Sequence, residues 1–225
     1  MSHTHLDKIQ AVNLGSFYTP SVIVQIAQKM LLNALKQAGV SLKNCTLLDN
    51  SCGYGNFLDF SEVLQSLDFT HHKAQDFMVD STQDFRQDFA HKIGIDIDKK
   101  AIEIAKRNVA SKQNNLQNLP KNITQNPPLF LHQNALQNVS RNAFQIPQDL
   151  PLAIIGNPPY NDKTSIVQRG LKDKNYALDS HLKCRDIGAS FLLSFNELKV
   201  DFICVLHPLS YLIKEANFKA LNRFF

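Results

Sequence analysis

The segment whose residue types bear most directly on chemistry is Asn157-Pro158-Pro159-Tyr160, which follows the apolar run Leu152-Ala153-Ile154-Ile155-Gly156 without a break. Two consecutive prolines fix φ and remove two backbone donors. The residue before a proline is pushed toward extended conformations. The corner is therefore stiff, and it presents an amide side chain, a backbone carbonyl and an aromatic ring in fixed relation. The Asn157 side-chain oxygen and the Pro158 carbonyl can each accept one N–H bond, and Tyr160 can stack on a ring face. That set suits a planar substrate carrying an NH2 group. The plainer alternative is a rigid turn with an ordinary buried tyrosine, and a motif this short needs context before it means more.

Two further segments supply context. In LLDNSCGYGNFL (47–58) an apolar run ends in Asp49, a turn of small residues follows, and a helix is expected to start near Asn56. Glycines in such a turn let the backbone approach a ligand closely. The turn does not name its ligand, because it is shorter than GxGxxG and lacks the lysine of a phosphate loop. In GIDID (94–98) a second acidic strand end offers Asp96 to ribose hydroxyls, as in dinucleotide folds, while Asp98 is placed to cap the following helix.

These groups need elements to hold them. Residues 21–38 read as a helix, with Val22, Ile23, Ile26, Ala27, Met30, Leu31 and Ala34 on one stripe and Ser21 as its cap. Residues 45–49, 91–98, 129–132, 152–156 and 201–207 read as strands. Residues 99–112, 186–198 and 213–225 read as helices, and the Asn- and Gln-rich stretch 111–128 as a loop. Residues 68–90 repeat Gln-Asp-Phe, and the spacing of Phe77, Phe85 and Phe89 places their rings on one helix face packed on the core. Strands alternating with helices imply an α/β fold, a mainly parallel sheet with helices on both faces. No linker divides the chain into two obvious domains.

The chain of 225 residues is 44% hydrophobic, enough for a sizeable core, and its 24 Lys and Arg against 20 Asp and Glu give a net charge of +4. That mild excess permits a nucleic-acid partner without demanding one. Cys45, Cys52, Cys184 and Cys204 form no CxxC pair and read as reduced thiols of a cytoplasmic protein. No signal peptide is evident, and no apolar stretch approaches the ~20 residues that cross a bilayer. The histidines, His71 and His72 included, show no metal-ligand spacing.

Taken together, DNSCGYG, GIDID and NPPY, in this order, resemble the N6-adenine DNA methyltransferases of restriction–modification systems. GSFYTPSVIVQIAQKML (15–31) looks like the methionine-binding motif that precedes the glycine turn in one permuted subgroup. The later segments RDIGASFLLSF and FICVLHPLSYLIKEANFKALNRFF also look like that family's motifs, so the likeness covers nearly the whole chain. It implies a Rossmann-like S-adenosylmethionine-dependent fold, with residues 1–40 as an N-terminal helical segment bearing a cofactor motif and 41–225 as the catalytic core. It implies that Phe17, Tyr18 and Thr19 contact the methionine end of S-adenosyl-L-methionine. Asp49 and the backbone at Cys52, Gly53 and Gly55 would hold its amino acid portion, and Asp96 its ribose. Asn134, in QNAL where the family carries GDAL, would lie at its adenine ring. Asn157, Pro158, Pro159 and Tyr160 would hold a flipped adenine while its N6 is methylated.

The partner implied is double-stranded DNA. Lys163, Arg169, Lys172, Lys174, Lys183 and Arg185 follow the corner and either contact phosphates or belong to a solvated loop. The resemblance also calls for two strands after the fifth and a target recognition domain. A chain ending at 225 is expected to lack both, as a fragment, the product of a disrupted gene, or one chain of a split enzyme whose separate partner chain would carry them. Two other readings stay open: a protein-glutamine or RNA N-methyltransferase, since these also use NPPY, and an inactive remnant or non-catalytic subunit.

Overall fold

The computed structural model describes residues 19–68, 88–115, 126–159, 177–184, 186–208 and 215. Along the chain these form α1 (Ser21–Gln37), β1 (Thr46–Asp49), a 3-10 turn (Asn56–Leu58), α2 (Ser61–Asp68) and β2 (His91–Asp96). There follow α3 (Lys99–Asn115), β3 (Leu129–His132), β4 (Leu152–Gly156), α4 (Ile187–Glu197) and β5 (Phe202–Val205). The strands lie in the order β3-β2-β1-β4-β5, and every pairing is parallel.

Parallel strands need crossovers, and the helices that make them cover both faces. All residues of β1 and β4 are accordingly buried. Successive residues point to opposite faces. Leu47 and Ile155 join α1, Phe57, Phe60, Phe89 and Ile102 in one core; Leu48 and Ile154 join Ile93, Phe144, Leu182, Phe195 and Leu198 in the other. The expected two-faced α/β sheet is the observed one.

Several local expectations are corrected. Helix α1 is present, but Val22, Ile23, Ile26 and Met30 are exposed, and its buried face is Val24, Ala27, Gln28, Leu31, Leu32 and Leu35. Of the apolar stripe read from the sequence only Ala27 and Leu31 lie on the face that packs. The reason is Gln28, whose amide donates to the carbonyls of Phe57 (3.2 Å) and Asp59 (2.8 Å) and so draws a polar position inward. Ser21 is the first helical residue and caps nothing; Pro20 holds the cap position, and its carbonyl accepts from Ile23 and Val24.

No α-helix starts at Asn56. A single 3-10 turn (Asn56–Leu58) starts there, and α2 begins at Ser61, where the Asp59 carboxylate accepts from the Ser61 backbone and hydroxyl. Phe89 is not helical. It sits in the lead into β2, fully buried, with its ring edge-on to Phe60 at 5.2 Å. Phe77, Phe85 and the C-terminal helix expected over 213–225 lie outside the described residues, Glu215 excepted, which is helical. Helix α3 reaches Asn115, further than expected, and β2 and β5 are shorter than their apolar runs.

The four cysteines remain thiols, and burial pushes that of Cys45 up to about 12. Among the described residues no helix is long and apolar enough to cross a membrane, and no three His, Cys, Asp or Glu side chains are grouped to hold a metal.

Candidate functional site

The strand order reverses between β1 and β4, and in an open parallel sheet the crevice outside the carboxyl ends at such a switch is where ligands bind. Two of the segments singled out in the sequence meet there. Asp49 ends β1, and Gly156, followed by Asn157, ends the adjacent β4. The approach is close: a Cβ on residue 156 would lie 2.6 Å from Asp49 Oδ1, so only glycine fits. The proline corner is therefore built directly against the acidic end of the central strand.

The corner has a second tie. The Asn157 amide nitrogen donates to the Thr19 hydroxyl at 3.1 Å. Thr19 immediately precedes α1, which is itself anchored through Gln28 and by a bond from the Cys204 thiol to the Ala27 carbonyl at 3.3 Å. Fixing the nitrogen on Thr19 also fixes which edge of the amide is oxygen. Pro158 and Pro159 lie in the described corner; Phe17, Tyr18 and Tyr160 lie outside the described residues.

The glycine turn is held by the second acidic strand end. Asp96 Oδ2 accepts from the Gly53 N–H at 2.8 Å, and Oδ1 accepts from the Asp98 N–H at 2.8 Å. Asp98 in turn accepts from Lys100 (2.9 Å) and Ala101 (3.4 Å), capping α3 as expected. The Cys52 N–H goes to the Ile95 carbonyl and the Gly55 N–H to the Cys52 carbonyl. All three of these turn N–H groups are thus engaged inside the protein. Gly53 (φ 51°) and Gly55 (φ 81°) are left-handed, which is what lets the chain turn so tightly.

What the turn presents instead is a set of side chains that sequence reading missed apart from Asp49. Asp49 Oδ1 accepts from the Ser51 N–H at 3.1 Å. Asp49 Oδ2, Asn50 Nδ2 and Ser51 Oγ are shut off from solvent, with no hydrogen-bond partner among the described residues. Leaving buried polar atoms unbonded costs ~1–3 kcal/mol each, and native structures rarely do so without a reason. Burial pushes the Asp49 carboxyl up to about 8, against a bond from Ser51 that lowers it, and the nearby Asp96 adds to the rise. Burial likewise raises Asp96, opposed by its bonds from Asp98 and Gly53. An acceptor of this kind beside two donors fits the ammonium and carboxylate of an amino acid. Nothing in residue type alone separates Asn50 and Ser51 from any polar turn; only their burial does.

Asn134 lies just past β3. Its oxygen accepts from the Leu136 N–H at 3.0 Å and its nitrogen donates to the Ala177 carbonyl. Both bonds are within the protein and concern the turn after β3 and the segment that returns from the corner.

No curated protein matches the chain significantly. Among solved structures it is similar to a modification subunit assigned to a type I restriction enzyme of Vibrio vulnificus YJ016 (18% identity, TM-score 0.40, 81% of this chain and 31% of that one). It is also similar to the methyltransferase subunit of a type I restriction-modification system from Streptococcus thermophilus (15% identity, TM-score 0.49, 92% and 38%). The chain thus spans about a third of the length of these structures, and neither likeness bears on activity. A family model described as Eco57I restriction-modification methylase matches residues 90–225. That match takes in β2 through β5 and the proline corner, more than half of the chain, and the chain belongs to the Eco57I restriction-modification methylase family.

Proposed function

We propose that this chain forms the cofactor-binding and catalytic core of an S-adenosylmethionine-dependent DNA methyltransferase acting on the N6 amine of adenine. The observation that carries the reading is the packing of the proline corner on Asp49. It puts acceptors for a planar amine beside buried polar atoms that fit the amino acid end of the cofactor.

In this reading Asp49 receives the ammonium, while Asn50 and Ser51 offer donors to the carboxylate. Thr19, with Phe17 and Tyr18, lies along the methionine end. Cys52, Gly53 and Gly55 shape the turn that permits close approach, Asp96 braces that turn and faces the ribose, and Asn134 lies toward the adenine ring. S-adenosyl-L-methionine, when bound, supplies an electrophilic methyl group on its sulfonium.

The target amine is a poor nucleophile because its lone pair is delocalised into the ring. Acceptors at Asn157 and on the Pro158 carbonyl favour the tetrahedral nitrogen that attacks. The corner acts by positioning and fixed dipoles rather than by a strong base, and the amine proton leaves after transfer. An adenine inside a duplex must leave the stack to reach the corner. Stacking on Tyr160 would be worth ~1–3 kcal/mol, by analogy with single-strand binders. Cations beyond the corner, of which Lys183 is exposed, would meet phosphates.

Calorimetry with S-adenosylmethionine and transfer of labelled methyl to adenine-containing duplex DNA, RNA and protein acceptors test the proposal. Binding followed by labelling of DNA adenine is expected. Labelling of RNA or protein alone would transfer the site to another planar nitrogen. Absence of cofactor binding would make the chain a non-catalytic subunit.

A further inference from the structure

We infer that Asn134 is a positioning residue. Its amide pins the chain returning from the proline corner onto the end of β3, and so fixes the limb that carries the exposed Lys183, one of the cations given to DNA phosphates above. The catalytic part of this inference rests on the function proposed above; the pin itself does not.

The pin is built from both sides. Beyond β3 the Gln133 N–H donates to the Asp96 carbonyl at 3.0 Å, continuing the ladder with β2. Asn134 then uses its two ends on different partners. Its oxygen accepts from Leu136 two residues on, and its nitrogen donates to the carbonyl of Ala177, 43 positions away. From the returning chain Asp179 reciprocates. Its carboxylate oxygens accept from the Asn138 and Val139 N–H groups, each at 3.0 Å, and its own N–H donates to the Leu136 carbonyl at 2.8 Å. Those two backbone N–H groups hold the Asp179 carboxyl below the ordinary range. Leu182 follows, buried at 1% in the cluster that holds Leu136 and Phe144. Lys183, next in the chain, is exposed.

In this set the bond to Ala177 demands a donor at position 134. An aspartate would keep the acceptor for Leu136 but place an anion against the Ala177 carbonyl, lone pair facing lone pair. The amide in QNAL, where the resembling family carries an acid, is therefore the form that can bridge the turn after β3 and the returning limb. Removing that bond frees the limb at one end without touching the Asp49 turn or the proline corner.

The test is hydrogen exchange at the Asp179 amide in the full chain and its Asn134→Asp variant, with methyl-transfer kinetics alongside. Loss of one net hydrogen bond corresponds to about tenfold faster opening, and about tenfold faster exchange at Asp179 is expected. The KM for adenine-containing duplex is expected to rise about fivefold. Asp179→Ala, which cuts the pin from the other side, should give the same KM rise, and the two substitutions together should add little. Unchanged exchange at Asp179 in Asn134→Asp, or a DNA KM that Asp179→Ala leaves unchanged, would overturn the inference. Should the unaltered chain label no DNA at all, the proposed function falls, and the exchange comparison alone then upholds or overturns the pin.

Discussion

Thr19 and Asn157 are 138 residues apart in the chain and 3.1 Å apart in space, the threonine hydroxyl accepting from the asparagine amide. The segment entering α1 thereby sets the orientation of the side chain on which the proposed chemistry turns. Asn157→Ala is expected to abolish methyl transfer while the cofactor Kd stays within about threefold, since a positioned acceptor acts on the transition state rather than on cofactor binding. Thr19→Val should lower transfer by about ten- to a hundredfold, and much less in a residually active Asn157→Asp background, because residues in one network do not act additively. Equal loss of cofactor binding and transfer in Asn157→Ala would make Asn157 structural.

The raised Asp49 carboxyl makes stability depend on pH in a definite direction, and under the proposed function cofactor binding as well. Its folded-state value of about 8 exceeds the ordinary 3.8. The folded protein therefore holds a proton that the unfolded chain releases between those values. Stability from this group is fully present below the lower value and is lost as pH rises toward the upper one, by up to ~1.4 kcal/mol per unit. Asp49→Asn should flatten that slope in denaturant melts from pH 5 to 8 and be no less stable than the unaltered chain at pH 8. The same proton must leave when an ammonium binds, so calorimetry at pH 7 in buffers of different ionisation enthalpy should show proton release approaching one. A slope unchanged in Asp49→Asn would remove the group from both roles.

Gly156 is required by space rather than by conformation. A methyl group there would meet Asp49 Oδ1 at 2.6 Å, and the buried Asp49 carboxylate must shift to admit it. Gly156→Ala is expected to cost ~1–3 kcal/mol in chemical denaturation and to displace the corner enough to cut methyl transfer further than the stability loss explains. A variant within 0.5 kcal/mol of the original, a difference typical of ordinary surface positions (about ±0.5 kcal/mol), would show the contact to be slack.

Arg141 lies far from the site and matters to the scaffold. Its guanidinium donates to the carbonyls of Pro147, Leu150, Leu198 and Lys199, tying the β3–β4 connection to the turn between α4 and β5. Arg141→Met should destabilise by ~1–3 kcal/mol, the cost of leaving partly buried carbonyls without a donor. Thermal melts would show it, and cofactor affinity measured well below the midpoint should be unchanged.

Much of this protein was legible from residue order. Apolar runs ending in Asp49, Asp96 and Gly156, each followed by small or turn-forming residues, dictate strands that deliver polar groups to one edge of a parallel sheet. The proline pair dictates a stiff corner whatever surrounds it, because φ is fixed covalently. Asp98 as the cap of α3 follows from local hydrogen bonding alone. What tertiary structure decided are the partners. Helix α1 has apolar residues on more than one side, and periodicity cannot say which side packs. The buried amide of Gln28, bonded to Phe57 and Asp59, settles it by a contact 29 to 31 residues away. The turn N–H groups at Cys52, Gly53 and Gly55 look open in sequence, yet Ile95, Asp96 and the turn's own carbonyl take them. Asn134 and Thr19 likewise acquire their partners only on folding. Propensity and covalent geometry act over a few residues and are written in the chain; the choice among donors and acceptors is made by whatever the fold brings within 3 Å.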